Sequence, residues 1–415
     1  FVEAGMPVDR YIIEKEEFHA DWKYVEMTDL ILRGEYAAAK ALENDSAYEE
    51  GDAAEAFREP SQDWNVLVSV GSGVINDLCK LSSYHHGQSY LTLPTAASVD
   101  GYSSFGSSIT YRSAKQTFTC PAPVAIIADI DVIAAAPKHM TAAGYADLAA
   151  KIPAGAEWMI SDFVGTEPIM PEAWHMLQDY LDDFLADPDG VAAGEPKAIA
   201  DLFEGLTLSG FAMQAMNSSR PASGMEHQFS HYWDMEGLCH EGKHVSHGFK
   251  VGIGTLVSTA CLEFILDYDI ESIDIEECVS KWPSWEQMQE DIHKVFEGKP
   301  GHLARALSES AGKYIDHEAL RQQLHLLKKV WPELRQRMKA QIYIFDHVYD
   351  CLKKVGAPYE PEMIGLTRAK LMDTFSGIPY MRSRYTVIDL IQRCGLMDQV
   401  TAALFGPGGH WAVSE

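Results

Sequence analysis

Positive charge is scarce in this chain. Across 415 residues, 33 Lys and Arg stand against 61 Asp and Glu, a formal net charge of -28. That balance argues against a nucleic-acid partner, whose phosphate backbone has to be met by Lys and Arg. It argues equally against an anionic membrane surface. An anionic substrate would have to find its cations locally, against the overall field. Paired cysteine motifs are missing as well. The seven cysteines are Cys79, Cys120, Cys239, Cys261, Cys278, Cys351 and Cys394; none forms a Cys-x-x-Cys, and their number is odd. Reduced thiols in a cytoplasmic protein are expected rather than a disulfide framework. No secretory leader is read, and no uninterrupted apolar run looks long enough to span a bilayer. The chain opens at Phe1 without a methionine, so upstream residues are expected to lie outside this numbering.

Hydrophobic residues make up 47% of the chain. At this length they predict more than one core, about two domains. Asp9–Ile13 reads as a short strand, and Asp21–Leu42 has helical periodicity. The acidic stretch Asn44–Asp63 reads as an exposed connection. Trp64–Val70 is a β-branched apolar run of the buried-strand type. Ser89–Thr95 and Val124–Asp129 read as further strands, with a helix from about Leu78. Strands alternating with helices predict a parallel α/β sheet, whose ligands sit at the carboxyl ends of the strands. From Met140 onward the pattern is helical throughout, in segments such as Ala142–Ala150, Glu195–Asn217, Phe249–Tyr268 and His317–Met338. The expected architecture is an α/β domain over residues 1–136 and an all-α domain over 137–415, with the site in the cleft between them.

Three stretches carry chemistry. Gly71-Ser72-Gly73-Val74-Ile75-Asn76-Asp77 follows the first good strand and opens a helix. Its glycines allow close backbone approach to a phosphate, and the helix N-terminus offers free N–H groups. The third glycine of the common dinucleotide fingerprint and the lysine of a P-loop are absent. A second stretch, Thr95-Ala96-Ala97-Ser98-Val99-Asp100-Gly101, is a hydroxyl-rich loop with one acid at a strand end. The third runs from Ser219-Arg220-Pro221-Ala222-Ser223-Gly224-Met225-Glu226-His227 to His231, with His247-Gly248 beyond. His227 and His231 are one helical turn apart. Two histidines from separate segments plus a carboxylate suit the open site of a catalytic metal; core histidines are the alternative. The carboxylate is Asp147, in an Ala-rich helix where burial is costly unless it is paired or ligating. An Asp147–Lys151 ion pair at i and i+4 is the alternative there.

These motifs, in this order, resemble the iron-containing alcohol dehydrogenase and glycerol dehydrogenase superfamily, in particular its glycerol 1-phosphate branch, from about Tyr11 onward. The resemblance implies a Rossmann-like N-terminal domain. It implies Asp147, His227 and His247 as metal ligands, with zinc or nickel as the ion; the donor set also suits iron. Gly71, Ser72, Gly73 and Asp77 would hold the pyrophosphate of NAD or NADP, and Thr95 and Ser98 would touch the same cofactor. Asp100 would contact substrate hydroxyls, and His231 would lie near the nicotinamide. The implied reaction is reversible hydride transfer between NAD(P)H and dihydroxyacetone phosphate. Arg220 and Lys250, beside the metal histidines, are the expected contacts for the phosphate of this small three-carbon substrate; surface or structural ion pairs are the alternative for both. Gly-Ser-Gly replaces a commoner Gly-Gly-Gly, and Ser72 keeps its backbone donor. A cytoplasmic homo-oligomer with no nucleic-acid or membrane partner is expected. Rival readings are a glycerol dehydrogenase, a 3-dehydroquinate synthase-like enzyme and a non-catalytic homologue.

Overall fold

The computed structural model describes residues 3, 6–15, 18–50, 66–112 and 114–413. Within the expected acidic connection, residues 51–63 lie outside the described residues, as do Trp64 and Asn65. The chain divides into two compact units. One comprises Phe1–Ala96 and Gly101–Ile133, the other Ala97–Asp100 and Ala134–Glu415.

In the first unit, β1 (Leu67–Gly71), β2 (Tyr90–Pro94) and β5 (Ala125–Ile126) form a parallel sheet in the order β1-β2-β5. Ser69 faces Thr92 across the β1–β2 register and donates a buried hydroxyl bond to it at 2.7 Å. The strand expected at Val124–Asp129 shrinks to two residues. Asp129 instead turns its carboxylate onto the amides of Asp131 and Val132, where a helix begins. Asp9–Ile13 forms no strand. It is tied down through Glu43, which accepts from the Tyr11 hydroxyl and from the Glu14 amide. The single helix expected at Asp21–Leu42 is two, Trp22–Leu32 and Tyr36–Asn44. Gly34 between them has φ +73°, a left-handed turn that a helix cannot continue through. Between β2 and β5 the chain makes an antiparallel hairpin, β3 (Ser107–Tyr111) with β4 (Ala114–Phe118). Ile109 and Tyr111 point from it into a core with Trp22, Val25, Met27, Leu78 and Leu81.

The second unit is helical apart from a two-residue hairpin pairing Cys239–His240 with Lys243–His244. Most expected helices are present, among them Lys138–Ala149, Pro196–Met216, His247–Asp267 and His317–Gln341. Sequence periodicity had not separated out Lys151–Phe163 or Pro300–Lys313. Each carries a proline, Pro153 and Pro300, but within the first turn, where no intrahelical N–H is required. His247–Asp267 is long and apolar enough to cross a bilayer, contrary to the reading of the sequence, and 83% of its most apolar stretch is buried inside the protein. It is the central core helix of this unit.

Two glycines set the approach of backbones around it. A Cβ on Gly248 would lie 2.0 Å from the Ala143 carbonyl oxygen, and one on Gly144 would lie 1.9 Å from that of Ala97. The His247–Asp267 helix and the Ala97–Asp100 segment therefore both rest directly on the Lys138–Ala149 helix. Gly248→Ala should push these helices apart and destabilise the protein by about 1–3 kcal/mol, as overpacking does. Thermal melting is the check, and an unchanged midpoint would refute the close crossing.

Candidate active site

The Lys138–Ala149 helix carries Asp147 near its C-terminal end, completely buried. Its neighbour one turn on is Lys151, also completely buried. The Lys151 ammonium lies 2.8 Å from Asp147 Oδ1 and 2.9 Å from Asp100 Oδ2. Burial lowers the lysine pKa, but the two carboxylates outweigh it and hold it above its ordinary value. Asp100 is fixed twice more: Ser209 donates its hydroxyl to Oδ2 at 2.9 Å, and the Asp100 amide donates to Asp147 Oδ2 at 3.2 Å.

His227 sits in the first turn of the Met225–Met235 helix, and His247 is the first residue of its own helix. The rings stand 5.2 Å apart between centroids. His227 Nδ1 is 2.8 Å from Glu226 Oε1, and His247 Nδ1 is 3.2 Å from Ser230 Oγ. Both contacts engage Nδ1, which leaves each Nε2 as the ligating atom. His227 Nε2 lies 3.6 Å from Asp147 Oδ1, and ligand atoms of Asp147, His227 and His247 all fall within 4.8 Å of one another. Nitrogen and oxygen ligands of a tetrahedral ion stand roughly 3.4 Å apart. The donor set, its burial and its spacing thus suit a divalent cation. The ion pair and the ligand arrangement, alternatives in the sequence, coexist here.

His231 follows His227 by one turn. Its Nε2 accepts from Arg382 Nη1 at 3.4 Å. Burial, reinforced by Arg382 and Arg305, pushes its pKa well below the ordinary imidazole value. Arg220 and Lys250 form the ion pairs that the sequence held as their alternative. Arg220 is completely buried, donating to the Glu157 carbonyl at 2.7 Å and Ser161 Oγ at 2.6 Å, with Glu167 at 3.3 Å from Nε. Lys250 is 4% exposed and ion-paired with Asp234. Both hold the second unit together, and neither lies open to a ligand.

Gly71, Ser72, Gly73, Asp77 and Thr95 belong to the first unit. β1 ends at Gly71 and the next helix, Gly73–His85, has Ser72 as an N-cap whose side chain makes no capping bond. The first-turn amides are left to a ligand or to water. Thr95 N–H donates to the Gly71 carbonyl at 3.1 Å. Asp77 accepts from the Ser108 amide at 3.4 Å and lies 4.0 Å from Lys80. Ser98 is buried in the Ala97–Asp100 segment of the second unit.

Sequence reasoning missed Glu226 and Glu157. Glu226 Oε1 accepts from the Gly224 amide as well as facing His227, and Glu157 Oε2 accepts from Met225 N–H at 2.8 Å. The signal for Glu226 was its position, immediately before a histidine ligand candidate. Glu157 gave none, because it lies 69 residues before Glu226 in a helix the sequence hid.

The family model of iron-containing alcohol dehydrogenases matches residues 11–137. A protein of Bacillus licheniformis named glycerol-1-phosphate dehydrogenase (NAD(P)+) is 34% identical over 237 residues, 56% of this chain and 59% of that protein. One of the same name from Geobacillus thermodenitrificans is 29% identical over 341 residues, 82% of this chain and 74% of that protein. The chain spans about half to three-fifths of the length of several such relatives. A solved structure of a probable glycerol dehydrogenase from Sinorhizobium meliloti aligns at TM-score 0.49 and 17% identity, covering 81% of this chain and 76% of that one.

Glu157 gives the site region a testable pH signature. Burial, then the Glu226 carboxylate, raises its pKa well above the ordinary 4.5. The native state therefore keeps a proton that the unfolded chain releases, so this group's stabilisation is present in acid and is lost as pH rises above about 4.5 toward the raised native value. Glu157→Gln keeps an acceptor for Met225 and removes the titration. Denaturant unfolding from pH 4.5 to 8 should show stability relative to wild type rising with pH in this variant. A constant difference would refute it.

Proposed function

We propose, from the premise that this chain belongs to the iron-containing alcohol dehydrogenase superfamily, that it catalyses metal-dependent hydride transfer between NAD(P)H and dihydroxyacetone phosphate, giving sn-glycerol 1-phosphate. The observation that carries the reading is the convergence of ligand atoms of Asp147, His227 and His247 within 4.8 Å of one another, with Nδ1 of each histidine engaged elsewhere. Residues 1–136 would serve the dinucleotide and residues 137–415 the metal and substrate. The names of the relatives at 34% and 29% identity favour a phosphorylated substrate over glycerol. The seven free cysteines are consistent with a cytoplasmic setting.

When bound, a divalent ion supplies Lewis-acid polarisation of the ketone and the nicotinamide supplies the hydride. Two histidines and one carboxylate suit Zn²⁺, Ni²⁺ or Fe²⁺. The chain's own residues do the positioning. Lys151 clamps Asp147 and Asp100 to one ammonium, so ligand and substrate-orienting carboxylate are set by the same contact. Asp100 orients a hydroxyl of the three-carbon chain. The carbonyl gains a hydride and a proton and becomes a secondary alcohol, while NAD(P)H becomes NAD(P)⁺. His231 stays neutral and serves the proton path as a relay, not a standing acid. In the first unit, the Ser72–Gly73 helix start would present its amides to the dinucleotide pyrophosphate, with Gly71, Asp77 and Thr95 as further cofactor contacts.

The test is NADH and NADPH oxidation with dihydroxyacetone phosphate, before and after chelation and with Zn²⁺ or Ni²⁺ restored. Turnover that chelation abolishes, absent on unphosphorylated dihydroxyacetone, is expected. Turnover on the unphosphorylated compound alone would move the assignment to a glycerol dehydrogenase. Glu226→Ala, which frees His227 Nδ1, should weaken metal binding about 10–100-fold. Competition against a chromophoric chelator reads this directly, and unchanged affinity would remove Glu226 from the site.

A further inference from the structure

We propose that the cavity lined by Arg382, the arginine that touches His231, receives the phosphate end of the substrate, with Arg382 as its binding cation. The inference rests on the hydride-transfer reading above and names the part of the site that reading leaves without a cation.

The cavity has a volume of about 640 Å³, within the range of small-ligand sites, and is walled by Lys313, Arg382, Arg384 and Arg393 against Glu167 and Glu309. In a chain of net charge -28, four cations on one cavity wall are a strong local reversal. Three of them are committed. Lys313 pairs with Asp389 at 2.5 Å. Arg393 donates to Gln323 and to the Lys313 carbonyl. Arg384 donates to the Ser223 carbonyl at 2.7 Å and to Ser219. Both acids are committed as well: Glu167 lies against Arg220, and Glu309 accepts from the Ser383 amide at 2.8 Å and lies 3.9 Å from Arg305.

Arg382 differs. Among the described residues its one hydrogen-bond partner is the neutral His231 ring and it forms no ion pair, while Glu309 and Glu167 act on it only at longer range. Burial, with Arg384 and Arg305 beside it, lowers its pKa to about 10, so it stays charged at neutral pH. A half-buried guanidinium with no carboxylate in direct contact is open to an anion, and a phosphate dianion supplies two oxygens in the geometry of its fork. Location agrees with this. His231, which Arg382 touches, is one helical turn from His227. In dihydroxyacetone phosphate only a methylene and an ester oxygen separate the carbonyl carbon from the phosphorus. Arg382, not Arg220 or Lys250, has both the open wall and the missing counter-charge.

The experiment compares metal-loaded wild type with Arg382→Ala and Arg382→Lys, by steady-state kinetics on dihydroxyacetone phosphate and dihydroxyacetone and by calorimetric titration with inorganic phosphate. Arg382→Ala should lower the kcat/KM preference for the phosphorylated substrate about 10- to 100-fold, chiefly through KM, because charge-assisted bonds are lost. Arg382→Lys should recover part of it, since charge survives without the fork. Phosphate binding should weaken in the same order. A wild type that prefers the phosphorylated substrate and variants that keep the full preference would overturn the cavity assignment and leave the hydride-transfer reading intact. A wild type inert toward dihydroxyacetone phosphate would overturn that reading. In that case, Arg382-dependent phosphate binding would keep the cavity as a phosphate site, and its absence would remove the site too.

Discussion

One buried ammonium holds the site in place. Lys151 is wholly enclosed and lies within 3 Å of carboxylates from two parts of the chain, Asp147 on the Lys138–Ala149 helix and Asp100 on the segment before Gly101. With the ammonium between them, Asp147 keeps Oδ1 toward His227. Removing one member of such a group leaves an uncompensated buried charge, which is far more costly than the pair is stabilising. The same arithmetic favours a cation in the gap. Two carboxylates share one ammonium, so a net negative charge faces the two imidazoles.

A second layer has the same logic. Glu226 stands behind His227, Glu157 stands behind Glu226, and the Arg220 guanidinium contacts the backbone and serine of the Glu157 helix. Arg220 thereby contributes to the chemistry without touching a substrate: it makes a buried acidic pair tolerable beside a histidine that needs one of those acids as its hydrogen-bond acceptor. This explains why Ser219–His231 reads as such a dense motif. Its proline, glycine and charged residues are the packing conditions for placing Glu226 and His227 side by side.

Local patterns were legible in the sequence because they are local. The strand, glycine turn and helix at Leu67–His85 and the histidines one turn apart all declare themselves within a dozen residues. The hairpin Ser107–Phe118 was hidden because its alternation, Ile109 and Tyr111 inward, is embedded among serines and threonines. The helix at Lys151–Phe163 was hidden by Pro153, a residue that breaks helices elsewhere but is tolerated in a first turn. Arg220 and Lys250 were chosen because they neighbour the histidines in sequence, yet the arginine that meets His231 comes from 151 positions away. Proximity along the chain places ligands that share a helix; it says nothing about a residue supplied by a distant turn.

That distant supply is what an acidic protein requires. A surface field of net charge -28 opposes any anion approaching from solution. Scattered lysines on such a surface would be screened and neutralised by their neighbours, as Lys197 is by Asp201 and Lys281 by Glu277. A guanidinium is useful to an anion only where carboxylates are kept away from it or already engaged. Around Arg382 this is achieved by assignment: Glu167 is taken by Arg220, Glu309 by the Ser383 amide and Arg305, and Asp389 by Lys313 and its own helix cap. The residue left over is the one beside His231. Selective attraction of a small anion thus depends less on how many cations the chain has than on which acids have been used up near one of them.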